Sequence, residues 1–108
     1  MANNKIYHER YKCIGCSACA SIAPDFWEMV EIEDEYKSHL PGSKIGKDAE
    51  GVVEEKDIKD NDTAINKEAA ESCPVNCIHI ITDGKIINDN SEMDAEQAKK
   101  ISNGEGVK

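Results

Sequence analysis

The spacing of apolar residues predicts short β-strands separated by turns. Residues 5–12 alternate loosely around isoleucine and tyrosine, and residues 26–32 alternate well enough to predict a second strand. Residues 78–82 and 85–87 are β-branched runs on either side of Asp83-Gly84, a dipeptide that is a strong signal for a two-residue hairpin turn. We therefore expect two short antiparallel pairs of strands.

Two short helices are predicted between these strands. Residues 17–23 are rich in alanine and serine, and Pro24 ends the segment. Residues 64–72 form the second helical segment, which the side chain of Asp62 or Thr63 can cap. Pro74 is expected to end it.

The middle of the chain, at about 33–62, is predicted to be a polar insertion. Pro41-Gly42-Ser43 marks a turn, and Val52-Val53 is compatible with a short strand. Residues 54–62 are almost all charged, so we expect a solvated loop there. Loops of this length are uncommon in compact domains and are often functional or mobile.

A chain of 108 residues fits one domain, which we place at residues 1–88 together with the insertion. Residues 89–108 are expected to form a C-terminal tail. Ser91 can cap a helix over residues 91–101, whose apolar face holds only Met93, Ala98 and Ile101. A docked helix and a frayed tail therefore both stay open.

Composition excludes some partners. The formal net charge is −9, which argues against nucleic acid and anionic membranes because both bind through lysine and arginine. An acidic surface suits a partner with a basic docking patch, but it also simply keeps a protein in solution. Charge alone does not separate these two interpretations.

The N-terminal residues show no apolar run of signal-peptide length, and no segment reaches the roughly 20 apolar residues of a membrane span. We therefore expect a soluble, cytoplasmic chain that makes no membrane contact. Disulfides are rare in that compartment, so the five cysteines indicate metal or redox chemistry.

Four cysteines have the spacing of metal ligands. Cys13, Cys16 and Cys19 follow one another at steps of three, so a curled loop can present each thiolate to one compact centre. Gly15 permits the backbone conformation and the close approach that such a curl needs. Cys73, followed by Pro74, supplies a fourth thiolate from far along the chain. A structural zinc site can use the same four ligands, although zinc sites more often pair two C-x-x-C motifs.

This pattern resembles the bacterial-type ferredoxins, in which C-x-x-C-x-x-C is followed by a remote C-P. Two-cluster members carry a second set of four ligands, and here those positions hold other residues: Ala23, Thr63, Asn66 and Ala69. The resemblance implies a single [4Fe-4S] cluster held by Cys13, Cys16, Cys19 and Cys73, which can decay to [3Fe-4S] by losing one iron.

The resemblance also implies the fold. We expect a ferredoxin-like α+β domain with pseudo-two-fold symmetry, two short helices and a small antiparallel sheet. It would contain one cluster site, with the second site replaced by a helix.

The implied function is one-electron transfer, not enzyme catalysis. The acidic shell favours a low potential, because it disfavours adding a negative charge. The family implies redox enzymes as partners, such as oxo-acid:ferredoxin oxidoreductases or hydrogenases. We expect the carrier to be a monomer and to bind these partners through its acidic surface. Two alternatives stay open: an interaction module stapled by a metal or cluster, and a small subunit of a larger redox complex.

Several residues have no assigned task. Cys77 is interpreted as a free cysteine packed beside the cluster, with spare ligand, redox-active thiol and disulfide partner as alternatives. His8, His39 and His79 share no motif, and alternation predicts that His79 points outward. Trp27 and Phe26 are expected to pack in the core.

Overall fold

A computed structural model of the chain describes residues 4–15, 17–32, 34–47, 51–73, 75–88, 91 and 93–103. Within them the protein is α+β, as expected. The strands are β1 (Asn4–His8), β2 (Glu28–Ile32), β3 (Glu35–His39), β4 (Lys44–Lys47), β5 (Val52–Ile58), β6 (Ile78–Thr82) and β7 (Lys85–Ile86). The helices are α1 (Ala18–Ile22), α2 (Thr63–Glu71) and α3 (Ala95–Ser102), with short 3₁₀ helices at Arg10–Lys12 and Asp60–Asp62.

Five strands form one antiparallel sheet in the order β4-β5-β1-β6-β7, and β2 and β3 form a separate hairpin. The predicted helices α1 and α2 and the predicted strand β2 are confirmed. The first strand is shorter than expected, because the chain turns into a 3₁₀ helix after His8. The pseudo-two-fold relation between the halves stays a prediction.

The β6–β7 hairpin confirms the turn predicted at Asp83-Gly84. Both residues have positive φ, 50° at Asp83 and 83° at Gly84. A turn with two positive φ angles matches the twist of the strands that it joins, which is why Asp-Gly is common there. Of the described residues around Pro41, Gly42 also has positive φ (79°), in the turn that the sequence predicted.

The solvated loop predicted over residues 54–62 is wrong. Strands β3, β4 and β5 occupy much of the middle of the chain, and β5 lies inside the sheet between β1 and β4. The Glu54 side chain is fully buried. Its charge is matched by His8 from β1 and His39 from β3, which are distant in sequence, and local composition carries no sign of those partners.

The sheet is covered on both faces. Ile6, Ile78 and Ile80 pack with α1 and α2 in one core, whereas Tyr7, Val53 and Ile81 pack against the other face. Two α3 residues complete this second core, Ala98 and Ile101. Of the two alternatives for the C-terminal segment, the docked helix is therefore correct.

The cap of α3 is Asp94, whose Oδ1 accepts a hydrogen bond from the Gln97 backbone N–H (2.7 Å); the predicted cap, Ser91, lies before the helix. At α2 the predicted side-chain cap is not formed. Asp62 makes no capping bond, and the Thr63 hydroxyl donates to the Asp60 carbonyl at 2.8 Å. Pro74, which is expected to end α2, lies outside the described residues.

His79 corrects a second expectation. Alternation places it on the face opposite Ile78 and Ile80, but α3 packs on that face, and His79 is only 2% exposed. Its two ring nitrogens are hydrogen-bonded to Glu9 and Ser91. In a sheet that is covered on both sides, a residue that points away from one core is therefore buried in the other and does not reach water.

Trp27 is buried in the first core, as predicted, and Phe26 packs against that core partly buried. The Trp27 indole N–H donates to Asn66 Oδ1 at 3.1 Å, and the Asn66 amide donates to the Asp62 carbonyl at 2.9 Å. Asn66 and Ala69 lie on α2 and are fully buried. That this helix replaces a second cluster site stays a prediction.

Replacing Asn66 tests this buried hydrogen bond. Asn66→Ala leaves the Trp27 N–H buried without an acceptor, so the free energy of unfolding should fall by about 2 kcal/mol. Urea unfolding followed by circular dichroism under anaerobic conditions measures it. Trp27→Phe removes the donor, so the same Asn66 change made in that background should cost less. Equal costs in both backgrounds would contradict the proposed bond.

Candidate metal centre

Three of the four predicted ligands meet in one recess. Cys13 follows the first 3₁₀ helix, Cys19 lies in α1 and Cys73 follows α2. All three line one recess, whose other walls are Ile14, Ser17, Ser38, Val75, Cys77 and Ile78. Cys16 lies outside the described residues, so its place rests on the sequence spacing.

The thiols differ in exposure. Cys19 and Cys73 are 6% and 8% exposed, whereas Cys13 is only half-buried. The recess therefore comes nearest to the surface, among its described thiols, at Cys13. Buried sulfur surrounded by apolar walls keeps water away from whatever the sulfurs bind.

Gly15 confirms the backbone requirement predicted for the ligand loop. Its φ is 77°, and a Cβ atom at this position would lie 2.5 Å from the Tyr36 carbonyl oxygen. A larger residue would therefore be strained and would collide with backbone. The close approach in the described structure is made to strand β3.

Sequence reasoning missed Ser38, which holds the Cys13 sulfur. The Ser38 backbone N–H donates to Cys13 Sγ at 3.2 Å, and its hydroxyl oxygen lies 3.3 Å from the same sulfur. Lys37 Nζ donates to the Cys13 carbonyl at 2.9 Å. Nothing in the sequence marked these residues, because they lie in the segment interpreted as an insertion.

Two thiols are poised to lose their protons. The hydrogen bond with Cys77, followed by those with His8 and Ser38, lowers the pKa of Cys13 to about 2 against the opposing effect of burial. The hydrogen bond with Cys77 also lowers the pKa of Cys73 to about 6. The thiolate is the form that binds metal, so both groups suit ligation.

Cys77 shows the opposite behaviour. Its side chain is 1% exposed and its sulfur lies 3.3 Å from that of Cys73. Hydrogen bonds to Cys13 and Cys73, together with burial, raise the pKa of Cys77. A protonated thiol that is packed in the core and in no disulfide matches the interpretation of a free, buried cysteine. Its spare-ligand reading stays a prediction.

A buried charged cluster lies behind Ser38. Glu54 Oε1 accepts from His8 Nδ1 at 2.8 Å and from the Leu40 backbone N–H at 3.2 Å. Glu54 Oε2 meets His39 and the Arg10 guanidinium. Although burial opposes it, hydrogen bonds from His8 and then His39 hold the pKa of the Glu54 carboxyl below its usual value.

His8 connects this cluster to the recess. Its Nε2 lies 3.2 Å from Ser38 Oγ, and its ring meets Trp27 edge-on with centroids 4.9 Å apart. Burial alone lowers the pKa of His8, but hydrogen bonds with Cys13 and Glu54 raise it overall. Two of the three histidines that share no sequence motif, His8 and His39, are thus brought onto one carboxylate by the fold.

The donor set of the recess fits an iron–sulfur cluster. Its described polar walls are thiols and serines, and thiolates are the ligands of such clusters. In the part of the chain that the structure describes, no group of three or more His, Cys, Asp or Glu side chains is close enough to hold a single metal ion.

Comparison with known proteins gives a consistent answer. The family model described as "4Fe-4S single cluster domain" matches residues 6–80. A ferredoxin from Thermococcus litoralis is 37% identical over 76 residues, which are 70% of this chain and 97% of that protein. Ferredoxin-1 from Desulfocurvibacter africanus is 36% identical over 76 residues, 69% of this chain and 89% of that protein.

No solved structure matches the chain significantly. No helix among the described residues is both long enough and apolar enough to cross a membrane.

The buried charged cluster predicts a strong effect of Glu54→Gln. Removing this carboxylate leaves His8 paired with a neutral group, so the free energy of unfolding at pH 7 should fall by about 3 kcal/mol. Because the folded-state pKa of Glu54 lies below 4.5, its contribution is complete above that pH. The difference from wild type should narrow as the pH falls through the folded-state pKa.

Asp57→Asn is the matched control, since it removes a carboxylate from the same strand. The Asp57 side chain is 81% exposed and lies 3.7 Å from Lys5 Nζ. Such a surface pair contributes at most about 1 kcal/mol. Urea unfolding of both variants measures the contrast, and equal losses would show that burial of Glu54 has no special effect.

Proposed function

The chain belongs to the 4Fe-4S single cluster family of ferredoxins, and on that premise we propose that Cys13, Cys16, Cys19 and Cys73 hold one [4Fe-4S] cluster. The chain is an iron–sulfur electron carrier. We propose further that it works at low potential between redox enzymes. The observation that carries the proposed cluster is that Cys13, Cys19 and Cys73 line one recess.

The single-cluster assignment has a second support. The positions that would hold another ligand set are filled by residues without thiols, and Ala23, Asn66 and Ala69 are buried in the first core. Trp27 packs there and is hydrogen-bonded to Asn66. A second cluster would need the volume that these side chains occupy.

When bound, a cluster of this kind takes up and releases one electron without breaking a bond. The chain then has three tasks. Its thiolates bind iron, the apolar walls formed by Val75 and Ile78 limit access of water, and Ser38 donates to the Cys13 sulfur. Each of these influences the potential through burial or hydrogen bonding.

A low potential follows from charge. The chain carries 22 acidic and 13 basic residues, so an additional electron enters a field that is already negative. Negative net charge disfavours the reduced state and lowers the potential. The resemblance suggests oxo-acid:ferredoxin oxidoreductases or hydrogenases as partners, and a cytoplasmic monomer as the working form.

Electron exchange is proposed to occur at the surface beside Cys13. Ile14 is 64% exposed and Tyr36 is 62% exposed, and both share a shallow depression with Cys13. Exposed apolar side chains that lie together form a patch, and such patches often mark sites of protein–protein interaction. This is also where the half-buried thiol is nearest to solvent.

Anaerobic preparation tests the cluster. We expect about four irons and four sulfides per chain and one reversible one-electron couple at negative potential in a voltammogram. Alanine at Cys13, Cys16, Cys19 or Cys73 should abolish cluster uptake. A colourless protein that holds one zinc ion would refute the electron-transfer function.

Cys77→Ala is the matched control for these variants. It removes a thiol from the same recess, but we expect it to keep full iron and sulfide content because Cys77 is assigned no ligand role. If Cys77→Ala lost its iron and Cys73→Ala retained it, Cys77 would be the ligand and Cys73 the free cysteine.

Truncation of Ile14 tests the exchange surface. Ile14→Ala should lower the second-order rate of electron transfer to a purified oxo-acid:ferredoxin oxidoreductase by about tenfold, because an apolar anchor contributes on the order of 1–2 kcal/mol to docking. Stopped-flow mixing measures the rate, and the midpoint potential should not change.

Ile45→Ala is the control, since Ile45 is 53% exposed but lies on edge strand β4. It should transfer electrons at the wild-type rate. Equal slowing of the two variants would show that general surface hydrophobicity, not the surface beside Cys13, governs docking.

A further inference from the structure

Ser38 stands out because it contacts a proposed ligand without belonging to the cysteine motif. It lies on β3, is 1% exposed, and reaches Cys13 Sγ with both its backbone N–H and its hydroxyl. Any residue except proline at position 38 would keep the backbone donor. Only the side chain supplies the second one, so its role can be separated by mutation.

The charge state of the Cys13 sulfur determines whether the Ser38 hydroxyl donates or accepts the hydrogen bond between them. As an iron ligand Cys13 is a thiolate, which accepts hydrogen bonds and cannot donate them. The Ser38 hydroxyl must therefore donate to Cys13 Sγ across their 3.3 Å contact. Its oxygen is then available to accept a hydrogen bond from elsewhere.

His8 and Glu54 supply that hydrogen bond. His8 Nε2 lies 3.2 Å from Ser38 Oγ, and His8 Nδ1 lies 2.8 Å from Glu54 Oε1. With a carboxylate at one end and a thiolate at the other, both His8 nitrogens donate: Nδ1 donates to Glu54, and Nε2 is directed at Ser38 Oγ and the neighbouring Cys13 sulfur. The chain of bonds thus points the Ser38 proton at the Cys13 sulfur.

We propose that Ser38 is a positioning residue that raises the reduction potential of the cluster, through a hydroxyl that Glu54 and His8 orient toward Cys13 Sγ. The inference rests on the proposed function, since it requires a cluster on Cys13. Reduction places more negative charge on the thiolate sulfur, and a donor to that sulfur stabilises the reduced state more than the oxidised state.

This effect opposes the effect of net charge. The acidic chain as a whole disfavours the reduced state, whereas one hydroxyl in contact with a ligand favours it at short range. Ser38 and its supporting residues are buried, so solvent screens their effect little. The two influences can therefore be measured separately.

The test is protein-film voltammetry of the cluster-loaded Ser38→Ala variant. The ratio of reduced to oxidised protein at a fixed potential should fall by up to about tenfold, which corresponds to about 59 mV for a one-electron couple. Iron and sulfide content should match the wild type. An unchanged potential, or a variant that no longer takes up the cluster, would overturn the proposal.

Ser43→Ala is the matched control. The Ser43 hydroxyl is buried, has no hydrogen-bond partner within the described part of the chain, and does not line the recess. This variant should keep the wild-type potential. An equal shift would show that loss of any buried serine hydroxyl moves the potential, and the proposal would fail.

A second measurement is spectroscopic and does not depend on the reduction potential. Resonance Raman spectra of the wild type in H₂O and D₂O should show an isotope shift in an iron–cysteine stretching band, because exchangeable protons of Ser38 are hydrogen-bonded to the ligand sulfur. The shift should decrease in Ser38→Ala, which loses the hydroxyl donor and keeps the backbone donor. An equal shift in both proteins would overturn the proposal.

The two levels of inference fail in different ways. A wild-type protein without a reversible couple would refute the proposed function itself. A wild-type protein with a normal couple, whose potential and isotope shift survive Ser38→Ala unchanged, would refute only the role of the hydroxyl.

Discussion

The pairing of β1 with β6 is the constraint on which the metal centre depends. In this antiparallel pair His8 lies opposite Ile78, and the Glu9 backbone N–H donates to the Cys77 carbonyl at 2.8 Å just beyond it. Cys13 follows His8 by five residues, and Cys73 precedes Ile78 by five. Pairing the two strands therefore brings together thiols that are sixty residues apart in the chain, before any metal contributes.

A buried charge is the second organising feature. Glu54 lies on β5 in the interior of the sheet, and its oxygens collect His8, His39, Arg10 and the Leu40 backbone N–H. A carboxylate is stable there only because several donors meet it. Of these donors, His8 is also hydrogen-bonded to Ser38, and Ser38 contacts the Cys13 sulfur. The interactions that stabilise this part of the fold therefore extend to Cys13.

Local patterns were sufficient where the structure depends on neighbours in sequence. Helices α1 and α2, strand β2 and the hairpin at Asp83-Gly84 follow from spacing and turn chemistry, and all are confirmed. The short strand expected at Val52-Val53 is confirmed as the start of β5. The solvated loop expected after it was wrong, because Glu54 is paired with His8 and His39, which are distant in sequence. His79 failed for a related reason: alternation identifies the face of a strand but not whether a later helix covers it.

The sequence by itself determined the class of site. Cysteine spacing and four substituted positions led to a single-cluster ferredoxin, because iron ligation demands particular residue types at particular steps. Only the tertiary structure showed that β5 is an interior strand, that α3 covers the second face, and that Ser38, His8 and Glu54 stand in line behind Cys13. Those features arise from contacts between distant segments, whose energies depend on burial and partners that no local pattern records.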